Sequence, residues 1–329
     1  MNLEELAKKI LRPQKGILAA DWSVNTATKK FEKFGITSNE QTRRKYRQML
    51  FESDGLENYI SAVILHEETI RQKTDEGKPL VEILKSKGIV PGIRVDIGQE
   101  EMPEFNGEQL TFGLDKIRDR LKEFKSLGAE FGKWRAAFVI GRGQPSYGAI
   151  EANSVLLALY ALFCLEAEIL PIVEPDIVMD GDHSIEDCFK ATDEVLKGVF
   201  LALYNFGVDR KKIILKPSMV LPGKDSQQKI EPQEVARQTM NVFKNDIPVD
   251  VPGIAFLSGG QSFDEAVSNL NEIEKMKDDV PWQITFSFAR ALQEPVLEVW
   301  QGRDENKKAA QEKLVELSRI ASLARQGKL

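Results

Sequence analysis

Eight short apolar runs recur along this chain, with longer amphipathic stretches between them. The runs are GILAAD (16–21), SAVILH (61–66), IVPGIRVD (89–96), FGKWRAAFVI (131–140), ILPIVEPDIV (169–178), KIILKPSM (212–219), GIAFLSGG (253–260) and WQITFSFARAL (282–292). They are rich in Ile, Val and Phe, and most lack simple polar alternation, as expected of parallel strands covered on both faces. Helical periodicity marks the stretches near 39–51, 114–127, 147–168, 186–206, 231–245, 262–277 and 305–325. EETIRQK, after the second run, reads either as a single turn or as a longer helix broken by Gly77 and Pro79. Ser38 with Gln41, and Ser262 with Glu265, form capping-box patterns at two helix starts.

Alternation of this kind, eight times over in 329 residues, predicts an α/β fold, the (β/α)8 or TIM barrel, which needs about 250 residues. No linker or low-complexity stretch divides the chain, so one barrel domain is expected over 1–329, with an N-terminal helix in 1–15 and the barrel in 16–325. The surplus length fits that helix and the long connection IGQEEMPEFNGEQLTFG. In MNLEELAKKILRP, the residues Leu3, Leu6, Ala7, Ile10 and Leu11 make one apolar face ahead of Pro13. That is an amphipathic helix, unlike a secretory leader.

Composition narrows the function. Hydrophobic content of 42% and charged content of 29% fit a globular protein, and 45 basic against 51 acidic residues leave a formal charge of −6. A nucleic-acid or anionic-membrane surface usually carries a basic excess, so neither partner is expected. The longest apolar stretch, around Val155 to Leu165, is flanked by Glu151 and Glu166 and is short for a membrane span. Cys164 and Cys188 are the only cysteines, which suits a reducing, cytoplasmic compartment. With His66 and His183 as the only imidazoles, a multi-histidine zinc site cannot be built; no metal and no cofactor are expected.

In such a barrel the chemistry collects at the C-terminal ends of the strands. Those ends carry Asp21, then Arg94 and Asp96, Lys133 and Arg135, Glu174 and Asp176, Lys216, Ser258 to Gly260, and finally Ser287 and Arg290. Each charge alone reads as a solvated loop residue. Acids and bases at the same end of nearly every strand read as a site. Lys216 closes the run Ile213–Ile214–Leu215 and precedes Pro217. Either it snorkels to solvent, or it is an amine kept neutral by burial and by the neighbouring Lys133 and Arg94, and so fit to act as a nucleophile. Glu174 and Asp21 are then available for proton transfer around a carbonyl. SGG at a strand end, followed by a capped helix at Ser262, offers backbone N–H groups to a phosphate, with Arg290 beside them. GRGQPSYG departs from a dinucleotide fingerprint.

Taken in order, KGILAAD, RRKYRQMLF, KSKGIVPGI, KWR, PIVEPDIVMDGDH, LKPSMV, FLSGGQS and AAQEKLVELSRIASLARQGK resemble segments of the class I fructose-1,6-bisphosphate aldolase family, from about residue 12 onward. The resemblance implies a cytoplasmic, metal-independent lyase of glycolysis and gluconeogenesis, usually a homotetramer. It implies a Schiff base between Lys216 and the ketone carbon of the phosphorylated sugar, with Glu174 as acid and base for carbinolamine formation and dehydration. Asp21 and Lys133 would assist around the C–C bond and the hydroxyls. Ser258, Gly259 and Arg290 would hold the C1 phosphate, and Thr26, Lys29, Lys30 and Arg135 would serve the C6 phosphate end. Gly260 and Ser287 would be further substrate- or phosphate-binding residues. Arg94 would be a further substrate-facing cation.

The chain departs from the family pattern in places. Trp22 stands where glutamate is common, Arg94 where a lysine is, KPS replaces KPN, SFAR replaces SYGR, and SVNT replaces an STGS-like loop. The sequence ends at Leu329, short of the tail ending in tyrosine of animal members, which bears on turnover. Two other functions stay open at this point: a lysine-dependent aldolase for another phosphorylated keto-sugar, and a catalytically impaired barrel used as a binding scaffold.

Overall fold

The computed structural model describes residues 2–277 and 280–329. Its strands are β1 (Gly16–Ala20), β2 (Ile60–Leu65), β3 (Val90–Arg94), β4 (Gly98–Glu101), β5 (Gln109–Phe112), β6 (Phe131–Phe138), β7 (Leu170–Ile177), β8 (Ile214–Leu215), β9 (Gly253–Phe256) and β10 (Gln283–Phe288). Eight of them close a parallel barrel in the order β1-β10-β9-β8-β7-β6-β3-β2, while β4 and β5 pair as a separate antiparallel hairpin. This is the (β/α)8 architecture. The longest ladder runs in register from Phe131↔Leu170 to Phe138↔Ile177.

The period of two along each strand sorts side chains between two cores. Leu18, Val63, Ile93, Trp134, Val173, Leu215, Ile254 and Phe286 belong to the large cluster that also contains the helices' apolar residues. The alternate residues, Ile17, Ala19, Ala62, Ile64, Val90, Phe131, Leu170, Ile172, Ile214 and Ala255, form a second cluster. Leu6, Ala7, Ile10 and Leu11 join this second cluster, so the helix Leu3–Ile10 closes the base of the barrel. Each large apolar side chain buried there contributes about 1.5–3 kcal/mol. Gly92 leaves room in that floor: a Cβ would lie 2.2 Å from the Phe131 ring.

Helix boundaries follow their caps. Ser262 and Glu265 form the expected capping box of the helix Phe263–Lys275. Ser38 does not cap its helix. Asn39, one residue nearer, caps Glu40–Glu52 by accepting from the Thr42 N–H. Ser38 instead bonds the Thr28 hydroxyl and receives Arg43. The EETIRQK region forms two short helices, Glu67–Arg71 and Leu80–Ser86. A further helix, Val24–Lys33, lies outside the periodic stretches of the sequence and starts at a Ser23 cap. KIILKPSM supplies only two strand residues, because Arg210–Lys212 is a 3-10 turn and Pro217 has no N–H to donate. Arg290 is not on the last strand; it opens the helix Arg290–Trp300. The long connection after β3 carries the β4–β5 hairpin. The helix Tyr147–Glu166 is, by length and composition alone, apolar enough to cross a membrane. In the fold, its residues Leu157, Ala158, Tyr160 and Ala161 are buried in the barrel's outer core.

Candidate active site

The inward positions change character one step above the apolar floor. Ile17 and Ala19 lead to Asp21, Phe131 to Lys133 and Arg135, Leu170 and Ile172 to Glu174 and Asp176, and Ile214 to Lys216. These residues, with Arg94 and Asp96, line one cleft of about 410 Å³ at the C-terminal ends of the strands. Thr26, Lys30, Ser258, Gly259, Gly260, Ser287 and Arg290 line it as well. Lys29 does not; it is exposed on the outer side of its helix.

At the centre, three cations meet three carboxylates. Lys216 Nζ lies 3.1 Å from Glu174 Oε1, and Lys133 Nζ lies 3.3 Å from Glu174 Oε2. Lys133 also reaches Asp21 at 2.9 Å and Asp96 at 3.7 Å. Arg94 Nε donates to Asp96 at 2.7 Å. Lys216, Lys133, Glu174 and Asp96 are all buried, a position that is costly for an ion without a partner. The mutual pairing offsets that cost. Burial alone would raise the Asp21 carboxyl, but Lys133, Lys216 and Arg94 hold it well below the usual carboxylate range. Burial likewise opposes the Lys133 ammonium, yet Asp21, Glu174 and Asp96 raise its pKa above the ordinary value. The nearest partner of Lys216 is thus a carboxylate, while the neighbouring cation Lys133 shares that carboxylate.

Arg135 is fixed from two sides. Its Nε donates to Asp176 at 2.7 Å and one terminal nitrogen donates to Gln99 at 3.0 Å. Asp176 and Glu174 keep the guanidinium charged against burial, raising its pKa. Ser218, the serine of KPS, donates to Asp176 at 2.9 Å and accepts from the Ile177 N–H. Gln99, from the hairpin, was not singled out in the sequence; its only signal was its place at the start of a long loop after a strand end.

The other end of the cleft is built from backbone. Gly259 (φ 53°) and Gly260 (φ 94°) take left-handed conformations that side chains resist. A Cβ on Gly260 would lie 3.0 Å from Lys224 Cε and 3.2 Å from an Arg290 terminal nitrogen. The buried Ser287 hydroxyl has no hydrogen-bond partner among the described residues. The cleft cations Lys30, Arg94, Lys133, Arg135, Lys216 and Lys224 each pair with a carboxylate. Arg290, among the described residues, does not, and it is left facing the glycine turn.

Trp22 lines the cleft with its indole parallel to the Tyr46 ring at 6.4 Å. His66 is not among the residues that line the cleft, and its Nδ1 accepts from the Glu68 N–H as a helix cap. Burial, with Arg47 and Arg94 nearby, pushes its pKa down to about 4, so it is neutral.

Fold and cleft together define a barrel with a buried lysine–carboxylate centre, flanked by a glycine turn and an arginine without a carboxylate partner among the described residues. Comparison with known proteins gives the family. The family model described as fructose-bisphosphate aldolase class-I matches residues 2–329. The cytosolic fructose-bisphosphate aldolase 4 of Arabidopsis thaliana is 44% identical over 315 residues, covering 96% of this chain and 80% of that protein. The fructose-bisphosphate aldolase C-A of Danio rerio is 43% identical over 328 residues, 99% of this chain and 90% of that one. A solved structure of Plasmodium falciparum fructose-bisphosphate aldolase, in complex with TRAP and a small-molecule inhibitor, superposes with a TM-score of 0.97. It is 42% identical and covers 99% of this chain and 94% of that one. The chain belongs to the class-I fructose-bisphosphate aldolase family, a family of lyases.

Proposed function

We propose that this cleft performs the family's reversible cleavage of fructose 1,6-bisphosphate to dihydroxyacetone phosphate and glyceraldehyde 3-phosphate, with Lys216 as the nucleophile. The observation that carries the assignment is the contact of a buried lysine with a buried carboxylate, Lys216 to Glu174 at 3.1 Å. Glu174 takes a proton from the ammonium, and the freed amine attacks the C2 ketone. The same carboxyl then returns a proton to the carbinolamine hydroxyl, which leaves as water. The protonated imine draws the electrons of the C3–C4 bond as that bond breaks. The C4 hydroxyl loses its proton to Asp21, which is held ionised by Lys133 before the step and carries that proton after it. Glyceraldehyde 3-phosphate departs, and the enamine left on Lys216 is protonated and hydrolysed.

Ser258, Gly259, Gly260, Ser287 and Arg290 bind the C1 phosphate, where the one cleft cation without a carboxylate partner among the described residues faces the two-glycine turn. Thr26, Lys30 and Arg135 face the C6 end; Lys29 stays outside. Arg94 orients Asp96 and the centre. The cytosolic relative of Arabidopsis thaliana supports a cytoplasmic enzyme, the description of the matching family as glycolytic supports a place in glycolysis, and the family resemblance supports gluconeogenesis and a homotetramer.

Borohydride reduction in the presence of dihydroxyacetone phosphate, followed by peptide mass mapping, tests the nucleophile. The label is expected on Lys216, with activity lost. Lys216→Met is expected to take up no label and to lose about 10⁴-fold or more in kcat. Label on another lysine, or preserved activity, would remove the assignment.

A further inference from the structure

One carboxylate outside the cleft engages a cation that lines it. Lys30, on the helix Val24–Lys33, lines the cleft and is assigned above to its C6, or far, end. Its Nζ is held by Glu294, whose other oxygen lies 3.7 Å from Lys33. Glu294 stands one turn after Arg290 on the helix Arg290–Trp300. One helix thus presents a cation to the cleft at Arg290 and, one turn further on, a carboxylate to Lys30. Arg135, the second far-end cation, is engaged by Asp176 and Gln99. At the near end Arg290 keeps its charge for a ligand.

We infer that Glu294 sets substrate discrimination. By pairing with Lys30 it reduces what a second phosphate gains at the far end, so a ketose 1,6-bisphosphate is favoured over a ketose 1-phosphate less than Lys30 alone would allow. The inference rests on the assignment of Lys30 to the C6 end. The physical cause is direct. A phosphate dianion approaching Lys30 meets an ammonium already neutralised and a carboxylate of its own sign. Lys30 and Glu294 keep 25% and 21% of their side-chain surface exposed, so solvent screens the effect, and it fades as salt is added. Glu294 does not line the cleft; it is a positioning residue that acts through Lys30.

The test compares kcat/KM for fructose 1,6-bisphosphate and fructose 1-phosphate in the parent protein, Glu294→Gln, Lys30→Met and the double variant. The bisphosphate-to-monophosphate ratio is expected to rise about two- to fivefold in Glu294→Gln. It is expected to stay constant when the same change is made in the Lys30→Met background. Glu294→Asp, which restores the charge, is expected to return the ratio toward that of the parent. A purely structural staple between the two helices would lower the thermal midpoint and both activities together, leaving the ratio unchanged; that result overturns the inference. So does a ratio that falls, or one that rises equally without Lys30. A parent protein inactive on both sugars would overturn the aldolase assignment itself, whereas an active parent with an unmoved ratio removes only the role of Glu294.

Discussion

The two ends of the barrel share the same strands and the same period of two, yet they treat charge in opposite ways. At the base, inward residues such as Ile17, Ala62, Val90, Leu170 and Ile214 pack against Leu6 and Ile10. The buried cation there, Arg325, is satisfied by the backbone: it donates to the carbonyls of Leu11, Arg12, Lys15 and Ile284. At the mouth, one step higher on the same strands, Lys216, Lys133 and Arg94 face Glu174, Asp21 and Asp96 across an open cleft. Carbonyls at the base cannot exchange protons or rearrange. Side-chain pairs at the mouth can do both. A buried charge bound to backbone fastens the fold, whereas one bound to another movable charge is available for chemistry.

That contrast breaks most visibly at Arg325. Replacing it with leucine removes the donor that Arg325 supplies to the carbonyls of Leu11, Arg12, Lys15 and Ile284. Arg325→Leu is expected to lower the unfolding free energy by about 3–5 kcal/mol. Below the melting transition, kcat/KM should stay within about twofold of the parent. Urea titration and steady-state kinetics on the same preparation check both halves. A large kinetic loss with unchanged stability would show that the two ends are coupled.

The mouth gives the converse. Arg290 makes no ion pair among the described residues and sits beside Gly260 at the cleft wall. Arg290→Ala is expected to lower kcat/KM for fructose 1,6-bisphosphate about ten- to a hundredfold, the worth of one charge-assisted contact. The loss should be much smaller on a substrate lacking the C1 phosphate, with the unfolding curve little changed. Equal losses on both substrates would move the phosphate site elsewhere.

The same contrast explains what could be read from the sequence. Lys133 and Arg135, or Glu174 and Asp176, stand two apart on long strands, so their shared inward direction follows from the pleat. The apolar floor is legible for the same reason. Local rules fail where two signals compete or where a partner is distant. Ser38 and Asn39 are both good caps, and the helix begins after the nearer one. SFAR reads as a continuing strand, but the chain turns at Ala289 and Arg290 opens a helix. Val24–Lys33 carries only Ala27 and Phe31 as buried residues, too thin an apolar stripe to register. Glu294 meets Lys30 across 264 residues of sequence, and no periodicity reports such a pair. Lys29 and Lys30 are neighbours of equal character, and only the helix shows which one reaches the cleft.

The smallest effect sharpens the contrast through pH. Glu274 lies at the C-terminal end of the helix Phe263–Lys275, buried, with Lys277 and Arg325 as the cations facing it. Burial dominates, and its carboxyl is pushed up from 4.5 to about 7. An acid whose pKa is raised on folding binds its proton more tightly in the native state. Its stabilising contribution is therefore complete below pH 4.5 and is lost as pH rises through about 7. At about 1.4 kcal/mol per unit the full shift would be worth about 3 kcal/mol; with relaxation at the partly exposed Lys277 rim, about 1–2 kcal/mol is expected. Glu274→Gln cannot ionise. The variant and the parent should match near pH 4.5, and the variant should become the more stable of the two by that amount near pH 8. Denaturant midpoints across this range check the sign. A difference between the two proteins that does not change with pH would mean that Glu274 is ionised throughout, with Lys277 and Arg325 outweighing burial. The contact that Lys277 makes with Glu274 would then join two charged groups, as the pairs at the mouth do.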